Sequence, residues 1–276
     1  MTQRVHSKIT DLGTVDSTQI VALAKARELV LSDAALGLPR HFYTADSQTH
    51  GMGQHGRSWI SPKGGIYLSV VLPDVPQYMH RFLPLVTGLA VAHTLMRPWS
   101  PMAWLPGPPQ SESPLHHIRL RWPNDVLVNG RKIAGVLSES IIMGQRAVAV
   151  VGVGMNVNAD PAAGHPELAD TATSLLRELG ASVDLMQTRH ALILSLNESF
   201  ADLTAGHWAR QHQEIRVLDF LQNRAVELSL DQRIVRGTGA GIAEDGALLL
   251  MTQSGLRSIY QGTILSVDQQ VVRSLN

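Results

Sequence analysis

The run "GMGQHGRSWISPKGG", Gly51 to Gly65, constrains this chain more than any other stretch. Gly51, Gly53 and Gly56 fall at the G-x-G-x-x-G spacing of a dinucleotide-binding turn. That turn requires a strand before it and a helix after it, because the free N–H groups and dipole of the helix N-terminus hold the pyrophosphate. "RHFYTAD" supplies a strand before. No helix can follow: "RSWISPKGG" carries a proline and two glycines, and the nearly continuous apolar strand "GIYLSVVLP" comes next. Asp74 lies near the offset of a ribose-binding acid, but in the strand-ending turn "LPDVP". What remains is strand, glycine loop, strand. Such a loop either forms an anion-binding nest of N–H groups or is a hairpin that holds nothing.

The flanking segments predict a mixed architecture. "VDSTQIVALAKARELVL" reads as a helix capped by Asp16 or Ser17. "FLPLVTGLAVAHTLM" reads as a helix buried on most faces. "IRLRW", "RKIAGVLSESII" and "AVAVVGVGMNV" read as strands, and Leu185 to about His207 as helical. Residues 98–114 hold several prolines and read as a surface loop. From Leu218 the pattern changes to short alternating segments, "AVELSL", "RIVRGTGAGI", "ALLLM" and "LRSIYQGTILSV", separated by turn signals. This predicts a small β-barrel, with a boundary between residues 1–218 and 219–276.

Composition narrows the function. Lysine plus arginine and aspartate plus glutamate both number 23, so bulk charge does not drive nucleic-acid binding. The absence of cysteine excludes disulfides, thiol catalysis and cysteine metal sites. No apolar signal peptide opens the chain and no run of about 18 apolar residues spans a membrane; a soluble, cytoplasmic protein is expected. The 12 histidines form no H-x-x-x-H or H-E-x-x-H pattern, and no structural metal is expected.

Chemistry concentrates in "RWPNDVLVNGRKIAGVL", Arg121 to Leu137. Trp-Pro-Asn-Asp after a strand makes a tight polar turn. If the following segments form a hairpin, Asp125 and Lys132 can face each other; otherwise they are an ordinary surface pair. "GVGMNVN" then places Asn156 beyond another strand, after two glycines. With "DSTQ" and "GMGQHGRSWISPKG" before them and "EDGALLLM" near the end, these motifs in this order resemble the biotin protein ligases, the biotin–[acetyl-CoA-carboxylase] ligase family, over nearly the whole chain.

The resemblance implies an α+β fold: a mixed sheet with helices packed on one face, plus a C-terminal SH3-like β-barrel. It implies ATP-dependent activation of biotin to biotinoyl-5'-AMP, with Mg²⁺, then transfer to one lysine of a biotin carboxyl carrier domain of acetyl-CoA carboxylase. It assigns Ser17, Thr18, Gln19, Gln48, Gly51, Met52, Gly53, Gln54, Lys132 and Gly135 to biotin. Arg57, Trp59, Asn124, Lys132 and Asn156 fall to the nucleotide, with Trp59 packed on adenine. Lys132, Asp125 and Arg57 are the expected catalytic groups. Lys132 stabilises charge at the α-phosphate, and Asp125 either orients Lys132 or helps deprotonate the acceptor lysine. Ser17 also serves as a helix cap.

The glycine loop departs from the family's "GRGRRGR": Met52, Gln54 and His55 replace arginines and only Arg57 remains. Gln19 replaces the usual asparagine. The first ligase motif begins at Asp16, so the N-terminal DNA-binding domain of many members, and direct DNA binding, are not expected. Homodimerisation is left open. Two rivals stand: a lipoate or octanoate ligase or transferase, and a non-catalytic biotin or nucleotide sensor.

Overall fold

The computed structural model describes residues 7–32, 38–97, 115 and 117–272. The proline-rich segment 98–114 lies outside them. In chain order the elements are β1 (Ser7–Asp11), β2 (Thr14–Val15), α1 (Thr18–Leu31), β3 (Arg40–Ala45), β4 (Ser47–Gln48), β5 (Ile66–Leu72), α2 (Leu83–Leu95), β6 (Ile118–Arg121), β7 (Asp125–Val128), β8 (Arg131–Met143) and β9 (Arg146–Met155). The short α3 (Leu175–Leu179), then α4 (Leu185–Thr204) and α5 (Trp208–Leu218), follow. The chain ends in β10 (Ala225–Leu230), β11 (Arg233–Ile242), β12 (Leu248–Thr252), β13 (Gly255–Ile259), β14 (Thr263–Val267) and β15 (Gln270–Val271).

The main sheet has seven strands in the order β1-β3-β5-β9-β8-β7-β6. Only the β1–β3 pair is parallel. Every residue of β5 is buried, which explains its nearly continuous apolar sequence: both faces are covered. Phe42, Leu68, Val70 and Leu72 point to the layer of α2, α4 and α5. Tyr43, Val71, Val148 and Val150 point the other way, onto Ala22, Ala26, Leu29 and Val30 of α1. The larger helical layer thus lies on one face as expected, and α1 covers part of the other. Ser17 is the cap of α1, its hydroxyl accepting from the Gln19 N–H. α2 is buried on nearly all sides because it lies between the sheet and α4–α5.

The C-terminal strands form a six-stranded antiparallel sheet, β13-β12-β11-β10-β14-β15. The segment "LRSIYQGTILSV" divides into β13 and β14 around Gly262, whose φ of 151° favours glycine. One apolar cluster runs from Phe42 through α2 and α5 to Val267, so this sheet packs on the main body. Polar ties span the junction: Trp122 Nε1 donates to Gly246 O (3.1 Å) and Phe220 N to Leu120 O (2.9 Å). No helix among the described residues is long and apolar enough to cross a membrane.

Asp219 sits between α5 and β10. Its Oδ1 accepts from Leu221 N at 2.9 Å, while the buried Oδ2 has no hydrogen-bond partner among the described residues. Burial pushes its carboxyl from 3.8 up to about 6, against the opposing pull of the Leu221 N–H. A raised acid pKa means that the folded chain keeps a proton the unfolded chain has released. Stability therefore falls as pH rises from about 4 to about 6 and levels off above. Asp219→Asn is expected to flatten that slope and to raise stability at pH 7 by up to about 3 kcal/mol. Urea unfolding at pH 4, 5, 6 and 7 reads both effects; parallel native and variant curves would contradict the assignment.

Candidate active site

The site begins in the turn between β6 and β7. Trp122–Pro123 is a cis peptide, and Arg121 and Asp125 are cross-strand partners across this turn. Arg121 donates to Asp125 Oδ2 from Nε (3.1 Å) and Nη2 (2.7 Å). On the next strand, Lys132 Nζ lies 2.5 Å from Asp125 Oδ1. A bulge between Val126 and Leu127 brings this about: Asp125 pairs with Gly135, but Leu127 pairs with Lys132 rather than Ile133. The extra residue on β8 moves Lys132 onto the face that carries Asp125. Segment 171–173 fixes the bulged backbone, Lys132 N donating to Thr171 O (2.8 Å) and Lys132 O accepting from Thr173 N (2.9 Å).

Asp125 is thus clamped between two cations. Burial alone would raise its carboxyl, but the charges and hydrogen bonds of Lys132 and Arg121 outweigh that and hold it at about 2. Asn124 fixes the same hairpin: Nδ2 donates to Val136 O (2.7 Å), and its carbonyl accepts from Val136 N (2.9 Å).

The glycine loop closes over this hairpin. Gly53 N donates to Arg57 O (2.7 Å) and Trp59 N to Gly51 O (2.8 Å), with Met52 and Ser58 bridged between them. Its tip is a 3-10 turn, Gln54–Gly56, in which His55 takes a left-handed φ of 57°. Gly51 is required by packing, since a Cβ there would lie 2.3 Å from Trp59 O and 2.5 Å from Ser61 Oγ. The Trp59 indole lies directly on Gly135 and Gly154, which are paired across β8 and β9. A Cβ on Gly154 would fall 2.4 Å from the ring, and one on Gly135 at 3.0 Å. Lys132 Nζ stands 5.2 Å from the Trp59 ring centroid.

A chain of polar contacts runs behind the loop. Gln48 Oε1 accepts from Thr18 N (2.8 Å) and Thr18 Oγ1 (3.2 Å), and Gln48 Nε2 donates to Ser61 Oγ (2.9 Å). Thr18 Oγ1 contacts Ser69 Oγ (2.9 Å), which donates to Gln19 Oε1 (2.9 Å). Gln19 Nε2 donates to Glu139 Oε2 (2.9 Å). The Gln19 amide is engaged at both ends and buried, tying α1 to the sheet.

A cleft of about 940 Å³, counted out to open solvent, joins Gly53, Gln54, Arg57, Trp59, Asn124, Asp125, Lys132 and Asn156. Thr171 and Ala172 form part of its wall, with Gly262, Thr263 and Ile264 of the C-terminal sheet. Asn156 is fixed by its Nδ2 bond to Thr173 O (2.9 Å). Ser17, Thr18, Gln19, Gln48, Gly51 and Gly135 are not among its lining residues; they belong to the polar chain and the packed floor beneath Trp59. Met52 and His55 are exposed at the loop tip. Sequence reasoning did not single out Arg121, which the Trp-Pro-Asn-Asp turn immediately follows, nor Thr263, for which the sequence carries no signal.

Residues 39–156 match the Biotin/lipoate A/B protein ligase family, and residues 222–265 match the Biotin protein ligase C terminal domain. The chain is 32% identical over 263 residues to the biotin–[acetyl-CoA-carboxylase] ligase of Paracoccus denitrificans, covering 90% of this chain and 96% of that one. It is 29% identical over 246 residues to the bifunctional ligase/repressor BirA of Bacillus subtilis, covering 87% of this chain and 69% of that one. Among solved structures, the biotin protein ligase of Aquifex aeolicus in complex with biotin and ATP superposes with a TM-score of 0.70 at 27% identity. That likeness covers 94% of this chain and 98% of the other.

The clamp makes stability depend on acid. A depressed carboxylate pKa stabilises the folded state above the unfolded value near 3.8, and that stability is lost as pH falls toward about 2. Asp125→Asn is expected to cost about 3 kcal/mol at pH 7, because it leaves the buried Arg121 and the half-buried Lys132 uncompensated. The gap between native and variant should narrow below about pH 4. Urea unfolding at pH 7, 4 and 3 measures this; a gap constant with pH would contradict it.

Proposed function

Because the chain belongs to the biotin/lipoate A/B protein ligase family, we propose that it is an ATP-dependent biotin ligase acting on the biotin carboxyl carrier domain of acetyl-CoA carboxylase. In the first half-reaction a biotin carboxylate oxygen attacks the α-phosphorus of ATP. The bond from that phosphorus to the bridging oxygen of the β-phosphate breaks, and pyrophosphate leaves. In the second, the neutral ε-amine of the acceptor lysine attacks the acyl carbon of biotinoyl-5'-AMP. The acyl–oxygen bond breaks, AMP leaves, and the amine loses its proton.

The observation that carries this reading is the Lys132 ammonium, held at 2.5 Å from Asp125 and facing the cleft beside Trp59. The carboxylate and the phosphate repel each other, and a fixed cation between them lowers that barrier without reorganisation. Arg57 adds a forked donor set to the lining of the same cleft. The adenylate hydrolyses readily, and the apolar lining of Ile60, Trp122, Leu168 and Ile264 limits water at the reacting atoms. Asp125 acts here as the group that orients Lys132. A carboxylate held at about 2 by two cations is a weak proton acceptor at neutral pH, which disfavours a role as base for the acceptor lysine.

Mg²⁺ enters this scheme as part of the nucleotide substrate. Among the described residues no group of three or more acidic or histidine side chains could hold a metal, and Asp125 is committed to its two cations. An ion bound chiefly by triphosphate oxygens and water suits such a site. The family name also covers lipoate ligases; the match of residues 222–265 to the biotin ligase C-terminal domain favours biotin. A cytoplasmic location is part of the same proposal.

Biotin-dependent ATP–pyrophosphate exchange, and transfer of labelled biotin to a carrier domain with and without ATP, test the reading. Both are expected with biotin and neither with lipoate; exchange driven by lipoate alone would overturn it. Lys132→Met should lower the exchange rate by about 10²- to 10³-fold, as removal of one preorganised donor does elsewhere. Asp125→Asn should slow transfer while carrier binding persists; a normal transfer rate would remove Asp125 from the mechanism.

A further inference from the structure

Among the described residues, the glycine loop reaches the C-terminal sheet through Arg57: its Nη2 donates to Thr263 Oγ1 at 3.1 Å, across 206 positions of sequence. Both ends of the contact are anchored. On the loop side, Arg57 O accepts from Gly53 N (2.7 Å) and Arg57 N donates to Gln54 O (3.2 Å), which closes the hairpin at the base of this side chain. On the sheet side, Thr263 opens β14, is paired with Ser229 of β10, and stands between Gly262 and Ile264 on the cleft wall. The loop has no other arginine or lysine between Gly51 and Ser61, so its fixed positive charge at neutral pH rests on this one guanidinium. A flexible arginine on a mobile hairpin would lose rotamer entropy each time it met a phosphate; one already tethered has lost most of it.

We propose that Thr263 is a positioning residue for the adenylation half-reaction: its hydroxyl holds the Arg57 guanidinium across the cleft, so the C-terminal sheet sets the geometry of the phosphate-facing loop. The proposal rests on the ligase reading above for its consequence, and on the contact alone for its structural part.

Thr263→Val keeps the β-branched shape and the backbone pairing of β14 and removes the acceptor; Thr263→Ser keeps the acceptor. In biotin-dependent pyrophosphate exchange by the full chain, Thr263→Val is expected to raise KM for Mg-ATP about tenfold, as loss of a hydrogen bond to a charged group does. KM for biotin should stay unchanged, and Thr263→Ser should restore the native KM for Mg-ATP. In an Arg57→Ala background, Thr263→Val should add nothing. A native KM for Mg-ATP in Thr263→Val, or losses that add to those of Arg57→Ala, would overturn the proposal. A second readout does not depend on turnover. Trypsin cleavage after Arg57, followed by mass spectrometry, should be faster in Thr263→Val than in the native chain and unchanged in Thr263→Ser. Equal cleavage in all three overturns the tether whatever the enzyme catalyses. Failure of the native chain to exchange pyrophosphate, with cleavage altered as expected, overturns the ligase reading and leaves the tether standing.

Discussion

A single half-buried carboxylate, Asp125, holds the functional end of this molecule together. Its two oxygens are occupied by cations from two different strands, Arg121 on β6 and Lys132 on β8. Taking three charges out of water is expensive, and such a group survives only when its geometry is good and its partners are fixed. Here the turn at Trp122–Pro123 and the bulge opposite Leu127 bring the partners in, and the Asn124 amide locks the hairpin. The clamp also leaves one positive charge in excess, in a chain whose acidic and basic residues balance. A cleft that is locally cationic in a neutral protein attracts an anion by placement, without general affinity for polyanions.

The second constraint is the smoothness of the sheet beneath the loop. Gly135 of β8 is paired with Gly154 of β9, and Gly152 lies two residues back along β9, where glycine weakens a strand and buries nothing. The gain is proximity: Trp59 rests on two of them and the Gln19 amide on the third, with a Cβ at Gly152 only 2.6 Å from Gln19 Oε1. Trp59 Nε1 is buried there without a hydrogen-bond partner among the described residues, a polar group held by packing alone. The indole is therefore packed on bare backbone, and Trp59 in turn forms part of the cleft lining.

Much of this was readable in the sequence because burial left a regular mark. β5 and most of β9 are nearly continuous apolar runs since both their faces are covered, and α1 carries its cap at Ser17. The elements that were not legible have identifiable reasons. α5 hides because its buried face carries Gln211 and His212, polar groups whose ring and amide nitrogens bond to the carbonyls of Ile242 and Ser199. β1 hides because three of its five residues are exposed and its pairing with β3 is parallel and remote. The Asp125–Lys132 contact was foreseen from motif spacing, but the bulge that aims Lys132 was not, since a one-residue register shift leaves no compositional trace. The contact from Arg57 to Thr263 joins the glycine loop to the C-terminal sheet through an ordinary hydroxyl, and no local pattern announces it.

The glycine loop shows how far side chains and backbone divide the work. Its shape comes from main-chain bonds between Gly53 and Arg57 and between Gly51 and Trp59, and from left-handed backbone at His55 and Gly56. None of these needs the side chains of residues 52, 54 or 55. Met52 and His55 point away at the exposed tip, while Gln54 faces the cleft with a neutral amide. Replacing arginines at these positions thus leaves the fold of the loop intact and removes charge from it. The charge that remains near the cleft sits on rigid supports: Lys132 and Arg121 on strands, Arg57 braced between a hairpin and β14. Electrostatic stabilisation depends on how little a dipole or charge must move when the reaction begins. A site with fewer cations, each fixed by structure, meets that requirement by preorganisation in place of number.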